Sequence, residues 1–345
     1  MKNVLFLAHT EADGTLARPA LESLGAAANV AAGLGASLVA GLIGENVNAA
    51  AQQIGGCGAV KFLGASGPDF AQSRYGSDAA AAEAICRAAG SDVVIAPATS
   101  RFSRVLPAVA QRLGGRADTH VTGLSAADGA ITASRWFYRQ RMEGMFQRSQ
   151  RPWILLVDPS SQTPWQGNSG PAAVEPVAVP LTEAHRRTTV VGQRAPAADA
   201  QTIRPDAALL FVAGAGWTKK QADGQAHVPE AEKLILDFLR LTRASLGSTK
   251  SLVDLGGEGQ VVLSFLTHLN QVGQTGSTPR HPKGLAACCH GEEPHTVGWR
   301  FIGERRAINL DPNCGWARGK ADVLYVADAF AVMAKVNALL AAAKG

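Results

Sequence analysis

Short apolar runs alternate with longer segments of helical periodicity through the first part of the chain. Val4–Ala8, Ser37–Ile43 and Asp92–Ala96 lack the in–out alternation of a half-exposed strand, so they predict strands buried on both faces. Around them, residues from about Pro19 to Leu34, Ala79–Ala89 and Val105–Leu113 carry apolar side chains at helical spacing. This β-α-β-α order predicts a parallel sheet with helices on its faces.

The pattern changes at Thr132–Val157. Arg135, Arg139, Arg141, Arg148 and Arg151 oppose a single acid, Glu143, among Trp136, Phe137, Tyr138, Phe146 and Trp153. Cations among aromatic rings suit single-stranded RNA. They also suit an antiparallel strand pair with a solvated cationic face, and no recognised nucleic-acid module surrounds the segment, so no nucleic acid is expected as a partner. From about Ser160 to Arg204 the chain is rich in Pro, Ala, Ser and Gln, which predicts a connecting arm with one short strand near Thr188–Val191. Ala207–Ala213 then opens a second unit. Pro229–Leu241 reads as a helix, Leu285–Cys289 and Ala307–Leu310 as strands, and Ala327–Ala343 as a closing amphipathic helix. The expected fold class is α/β, with two doubly wound parallel-sheet units: residues 1–195, arm included, and 206–345.

Composition narrows the picture. Of 345 residues, 46% are hydrophobic and 18% charged, enough apolar material for two cores and too little charge for a long disordered segment. The net charge of +5 favours acidic partners or phosphates only diffusely. Val4–Ala8 is far short of a signal-peptide core, and no apolar run approaches a membrane span, so stable membrane insertion is not expected. Cys57, Cys86, Cys288, Cys289 and Cys314 form an odd, scattered set that suggests a reducing cytoplasm.

The candidate chemistry is concentrated in the second unit. Gln271-Val272-Gly273-Gln274-Thr275-Gly276 predicts a compact polar turn. Its glycines allow backbone angles that a β-carbon forbids and let a flat ligand approach closely. Gln274 offers an amide and Thr275 a hydroxyl to a heteroaromatic edge. His295 follows, then Asn309-Leu310-Asp311-Pro312. In this order the residues resemble the electron transfer flavoprotein alpha subunit family, whose C-terminal domain carries V-G-Q-T-G, a histidine and N-x-D-P. The first unit resembles the family's N-terminal, nucleotide-binding-like domain at Ala96-Pro97-Ala98-Thr99, Leu106-Pro107 and Val121-Thr122-Gly123, with Arg135 and Tyr138 matching R-x-x-Y.

The resemblance implies an FAD-binding C-terminal domain. Gln271, Gly273, Gln274, Thr275 and Gly276 would form the flavin turn, with Thr275 near flavin N5 and O4 and His295 near O2. Asn309 and Asp328 fall where the family binds the adenosine end; read alone they are a strand end and a helix cap. His295 alone is an exposed loop histidine. Gly247-Ser248-Thr249-Lys250 aligns with G-A-S-R, in which the serine bonds the flavin and the arginine lies over its ring. Thr249 keeps the hydroxyl and Lys250 the charge, although an ammonium cannot stack as a guanidinium does. Lys250 reads equally as a surface lysine.

Two departures stand out. The family's G-R-G is Gly214-Ala215-Gly216 here, without the arginine. Its G-I-S-G-A turn is Cys288-Cys289-His290-Gly291-Glu292, with Glu293 next, and two acids near a diphosphate repel it. Gly291 alone survives. Cys288, Cys289, His290 and His295 fit no standard zinc spacing. Gly214-x-Gly216 lacks the third glycine of a dinucleotide fingerprint.

The implied function is that of an electron carrier: the FAD-containing alpha subunit of a heterodimer with an electron transfer flavoprotein beta subunit. A flavin-dependent dehydrogenase would donate to it and a quinone-linked oxidoreductase would accept from it. The chief alternative is an FAD-free alpha-like scaffold or regulatory partner. An ATP-using enzyme of the same architecture draws on fold analogy alone.

Overall fold

The computed structural model describes residues 3–137, 142–192, 203–204, 207–254, 261–273, 279–288, 299 and 302–343, without the side chains of residues 315, 316 and 319. The chain divides into two compact units, Met1–Arg194 and Ala195–Gly345. Both are α/β.

In the first unit the strands are β1 (Asn3–His9), β2 (Ser37–Gly44), β3 (Lys61–Ser66), β4 (Val93–Pro97), β5 (Arg116–Ala127), β6 (Ala130–Phe137), β7 (Met142–Phe146), β8 (Trp153–Val157) and β9 (Val174–Pro176). Among the described residues they form one sheet in the order β7-β6-β5-β8-β4-β1-β2-β3-β9. All neighbours are parallel except β5–β6 and β6–β7, which supply the antiparallel pairing expected around Thr132–Val157. The helices are α1 (Arg18–Leu34), α2 (Asn48–Gln53), α3 (Tyr75–Ala89), α4 (Ser100–Arg112) and α5 (Glu183–Arg186).

The continuous apolar character of β1 follows from burial on both faces. Val4, Phe6 and Ala8 enter the core beneath α1, with Leu24, Ala27 and Val30. Leu5 and Leu7 enter the opposite core beneath α3 and α4, with Ile85, Val105 and Leu106. Pro19 in its first turn starts α1, and Gly35 ends it in the left-handed conformation at φ 60°. Helix α4 begins at Ser100, earlier than the apolar spacing predicts, because the Thr99 hydroxyl accepts the Phe102 amide.

The basic-aromatic segment is largely absorbed by structure. Asp118 is buried and takes Arg135 Nη1 at 3.3 Å, Arg148 Nη2 at 2.7 Å and the Trp153 indole at 2.8 Å. The Arg135, Arg148 and Arg151 guanidinium groups lie over Phe137, Phe146 and Trp153 at 4.7, 5.2 and 5.8 Å. The described arm is not a free tether. The Trp165 amide donates to Leu21, the Gly170 amide to Gln52, and β9 adds to the sheet edge beside β3. The expected strand at Thr188–Val191 is absent; the arm's strand is β9, followed by α5, where Arg186 pairs with Asp69 at 2.8 Å.

The second unit contains β10 (Leu209–Ala213), α6 (Val228–Thr242), β11 (Ser245–Ser248), α7 (Lys250–Asp254), β12 (Lys283–Ala287), β13 (Glu304–Asn309), α8 (Gly315–Lys320), β14 (Val323–Val326) and α9 (Ala329–Ala342). Its described sheet is wholly parallel, ordered β11-β10-β12-β13-β14. Phe211 and Ala213 face a core with Ile235, Phe238 and Met333, whereas Leu210 and Val212 face another with Trp299 and Ile302. Among the described residues no helix is long and apolar enough to cross a membrane.

Candidate functional site

Counting strands in chain order, the second sheet runs 2-1-3-4-5. Its order reverses at β10, whose neighbours β11 and β12 lie on opposite sides. In sheets of this order, ligands bind at the carboxyl ends of the strands near the reversal. The described candidates gather along that edge. Ser248 ends β11, Thr249 and Lys250 follow it, Asn309 ends β13, and Asp328 stands between β14 and α9. Gln271 joins the edge through a parallel bridge to Ser248.

Local packing explains these placements. Thr249 anchors the end of β11 to β10, its amide donating to the Ala213 carbonyl at 2.9 Å. Its buried hydroxyl accepts the Leu252 amide at 3.1 Å and starts α7. A short helical turn at His268–Asn270 is capped reciprocally by Thr267 and Asn270, and the Asn270 side-chain amide donates to Leu246 of β11 at 3.2 Å. The chain then runs beside β11, where the Val272 amide donates to the Ser248 carbonyl at 3.0 Å. Gly247 has to be glycine: a Cβ there would come within 2.6 Å of Val272 Cγ2. Gly273 takes φ 82°, a left-handed angle suited to glycine.

Two polar atoms at this bridge are buried and lack a hydrogen-bond partner among the described residues: Ser248 Oγ and Gln271 Nε2. Ser248 is fully buried and Gln271 nearly so. A buried orphan group costs about 1–3 kcal/mol, so two of them side by side at this edge are an unmet cost in the free chain.

Elsewhere on the edge the polar groups are occupied. Asn309 Oδ1 accepts the Asp311 amide at 3.0 Å, and Asp328 Oδ1 accepts the Ala331 amide at 3.1 Å, capping α9. The Lys250 ammonium is ion-paired to Asp254 one helical turn on, and His268 Nδ1 lies 3.8 Å from the other Asp254 oxygen. Burial, with Asp328 nearby, pushes the Cys288 thiol up to about 12. The Gly216 amide donates to the Cys288 carbonyl at 3.0 Å, closing Gly214-Ala215-Gly216 against β12. Gln274, Thr275, Gly276, Gly291 and His295 lie outside the described residues, as do Tyr138, Cys289, His290, Glu292 and Glu293. Sequence reading missed Asp254, although its four-residue spacing from Lys250 was visible. No group of three metal-ligating side chains occurs among the described residues.

A family model, the electron transfer flavoprotein domain, matches residues 4–184, more than half of the chain. The chain belongs to the electron transfer flavoprotein family. No curated protein matches it. The matched residues lie in the first unit, and the candidate site lies in the second. Membership gives the chain a role in electron transfer; the family is flavin-associated and typically works with redox partners.

The residues on this edge fit the flavin that membership implies. Ser248 Oγ and Gln271 Nε2 are buried polar atoms awaiting partners. Gly273, at its left-handed φ of 82°, carries the chain from this bridge towards the glycine-bracketed turn. The missing arginine at Ala215 removes one cation from the set.

Proposed function

We propose that the chain is the FAD-containing alpha subunit of a heterodimeric electron transfer flavoprotein. It takes electrons from a flavin-dependent dehydrogenase and passes them to a quinone-linked oxidoreductase. Residues 206–345 form its FAD-binding domain. The observation that carries this reading is the orphaned pair, Ser248 Oγ and Gln271 Nε2, at the edge where a sheet of this order binds ligands.

Bound FAD supplies the one-electron steps that join a two-electron donor to a quinone pool. The protein's task is to bind it, keep water away and hold charge beside it. Ser248 and Gln271 provide hydrogen bonds whose desolvation cost the fold has already met. Thr275 and His295 take the family's positions near flavin N5 and O2, and Gln274, Gly276 and Gly291 complete the turns around it. Asn309 serves the adenosine end, and Asp328 can do so with its second oxygen while the first caps α9.

A beta subunit fits the exposed apolar surface of the second unit. Helix α9 carries a single charged residue, Lys335, and its Leu339 is 59% exposed. Val323, Tyr325 and Val326 are exposed on the edge strand β14. A helix apolar on most sides and a bare apolar strand edge call for a covering partner. The odd, scattered set of cysteines supports a reducing cytoplasm as its compartment.

A second reading, the flavin-free scaffold, draws on Ala215 and on the pairing of Lys250 with Asp254, which together weaken the positive field at the site. Extraction and chromatography of flavin from the purified heterodimer tests both. Stoichiometric FAD is expected. A folded heterodimer that takes up no flavin, even with FAD added, sinks the first reading and leaves the second.

A further inference from the structure

We infer that Asp254 is a positioning residue that holds and partly neutralises the Lys250 ammonium, so that this carboxylate sets how strongly the site favours reduced flavin. The inference rests on the FAD-binding reading above.

The observations concern two charges one turn apart on α7. Lys250 opens α7 directly after β11, Asp254 lies four residues on, and the two are ion-paired. Helix stability does not account for this arrangement. A cation at a helix N-terminus runs against the backbone dipoles. The order Lys-then-Asp at this spacing is also the weaker one for a helix. In water the pair contributes little, since the side chains keep 44% and 31% of their exposure. A ring system lying on the pair displaces that water and raises the weight of both charges.

Asp254 reaches a second element too. Its other oxygen faces His268, in the turn that leads into Gln271 and Gly273. One carboxylate therefore sits between the element carrying Lys250 and the segment carrying the flavin turn. A flavin beside Lys250 meets an ion pair rather than a bare cation, and the field of a pair decays faster than that of a single charge. Lysine in place of the family's arginine suits this arrangement, because a flexible ammonium follows its counter-ion whereas a guanidinium stacked on a ring is fixed in plane.

The test uses purified heterodimer of the wild type, Asp254→Asn, Lys250→Gln and the double variant. Flavin content and both one-electron potentials are measured for each. Asp254→Asn is expected to shift the one-electron equilibrium at least tenfold towards reduced flavin, about 59 mV. Lys250→Gln, which leaves the carboxylate bare, is expected to shift it at least tenfold the other way. The double variant should fall between them, off the sum of the single effects. Unchanged potentials in Asp254→Asn with full FAD content overturn the inference but not the FAD reading. If Asp254→Asn does not assemble, unchanged potentials in Lys250→Gln overturn it equally. Absence of FAD from the wild type overturns the FAD reading, and this inference with it. A flavin-independent readout is the NMR chemical shift of the Lys250 ammonium: Asp254→Asn should move it, and an unmoved shift overturns the pairing.

Discussion

Ser248 and Gln271 are bridged across parallel backbones, and each keeps a buried polar atom without a partner among the described residues. A group left in that state penalises the free protein and rewards the liganded one. Ser248→Ala should therefore act in opposite directions on the two. The flavin-free chain should gain about 1 kcal/mol in denaturant unfolding, because the unmet hydroxyl is gone. FAD should bind roughly fivefold more weakly, equivalent to about 1 kcal/mol. Equal loss in both measurements would make the hydroxyl an ordinary packing group.

Arg101 and Asp78 form a bidentate pair at 2.6 and 2.9 Å in the first unit, and Arg101 also donates to the Phe70 carbonyl at 2.7 Å. Both residues are buried. Asp78→Ala strands the guanidinium and should cost about 3–5 kcal/mol of stability. The Asp78→Leu/Arg101→Met double variant should cost less than that single change. Urea unfolding of the two variants provides the comparison.

His9 gives a pH dependence with a defined sign. Burial, then the Arg101 charge, lowers its pKa from 6.5 to about 4. Its Nδ1 lies 3.3 Å from the Thr10 carbonyl and its Nε2 lies 3.0 Å from the Thr99 hydroxyl, an arrangement that suits a neutral ring. The folded value lies below the unfolded one, so the contribution is present above pH 6.5 and is lost as pH falls towards 4. The loss should approach roughly 3 kcal/mol. Stability curves of His9→Gln should lack this slope.

Asp69 acts at lower pH. Hydrogen bonds from Arg186, then Arg74, hold its carboxyl at about 2, below the ordinary 3.8. Its contribution is present above 3.8 and disappears as pH falls through 2. Because Arg186 belongs to the arm, acidification over that window should loosen α5 first. Hydrogen exchange of residues 183–186 should rise below pH 4 in the wild type. In Asp69→Asn it should be fast already at neutral pH.

The longer helices and strands such as β1, β2, β4 and β10 were legible in the sequence because continuous apolar runs and helical spacing are local, whereas β3, β9, β11 and β14 were not read from it. A run such as Val4–Ala8 has to be buried on both faces wherever it lies. Of the glycine-bracketed turn after Gln271, the described glycine, Gly273, takes a left-handed angle that its residue type allows. What the sequence could not give is which charges meet. Arg135 and Arg148 read as a cationic surface, yet both close on Asp118, far upstream, where the β5–β6–β7 antiparallel ribbon brings them together. The arm reads as a tether from its prolines, yet β3 offers a bare edge that β9 takes up. Lys250 read as a lone cation. Only folding made it half of a pair, because a five-residue helix turned Asp254 back towards it. Hydrophobic pattern specifies each element, since burial depends on the residue itself. Charge pairing depends on distance, and only the tertiary structure decides it.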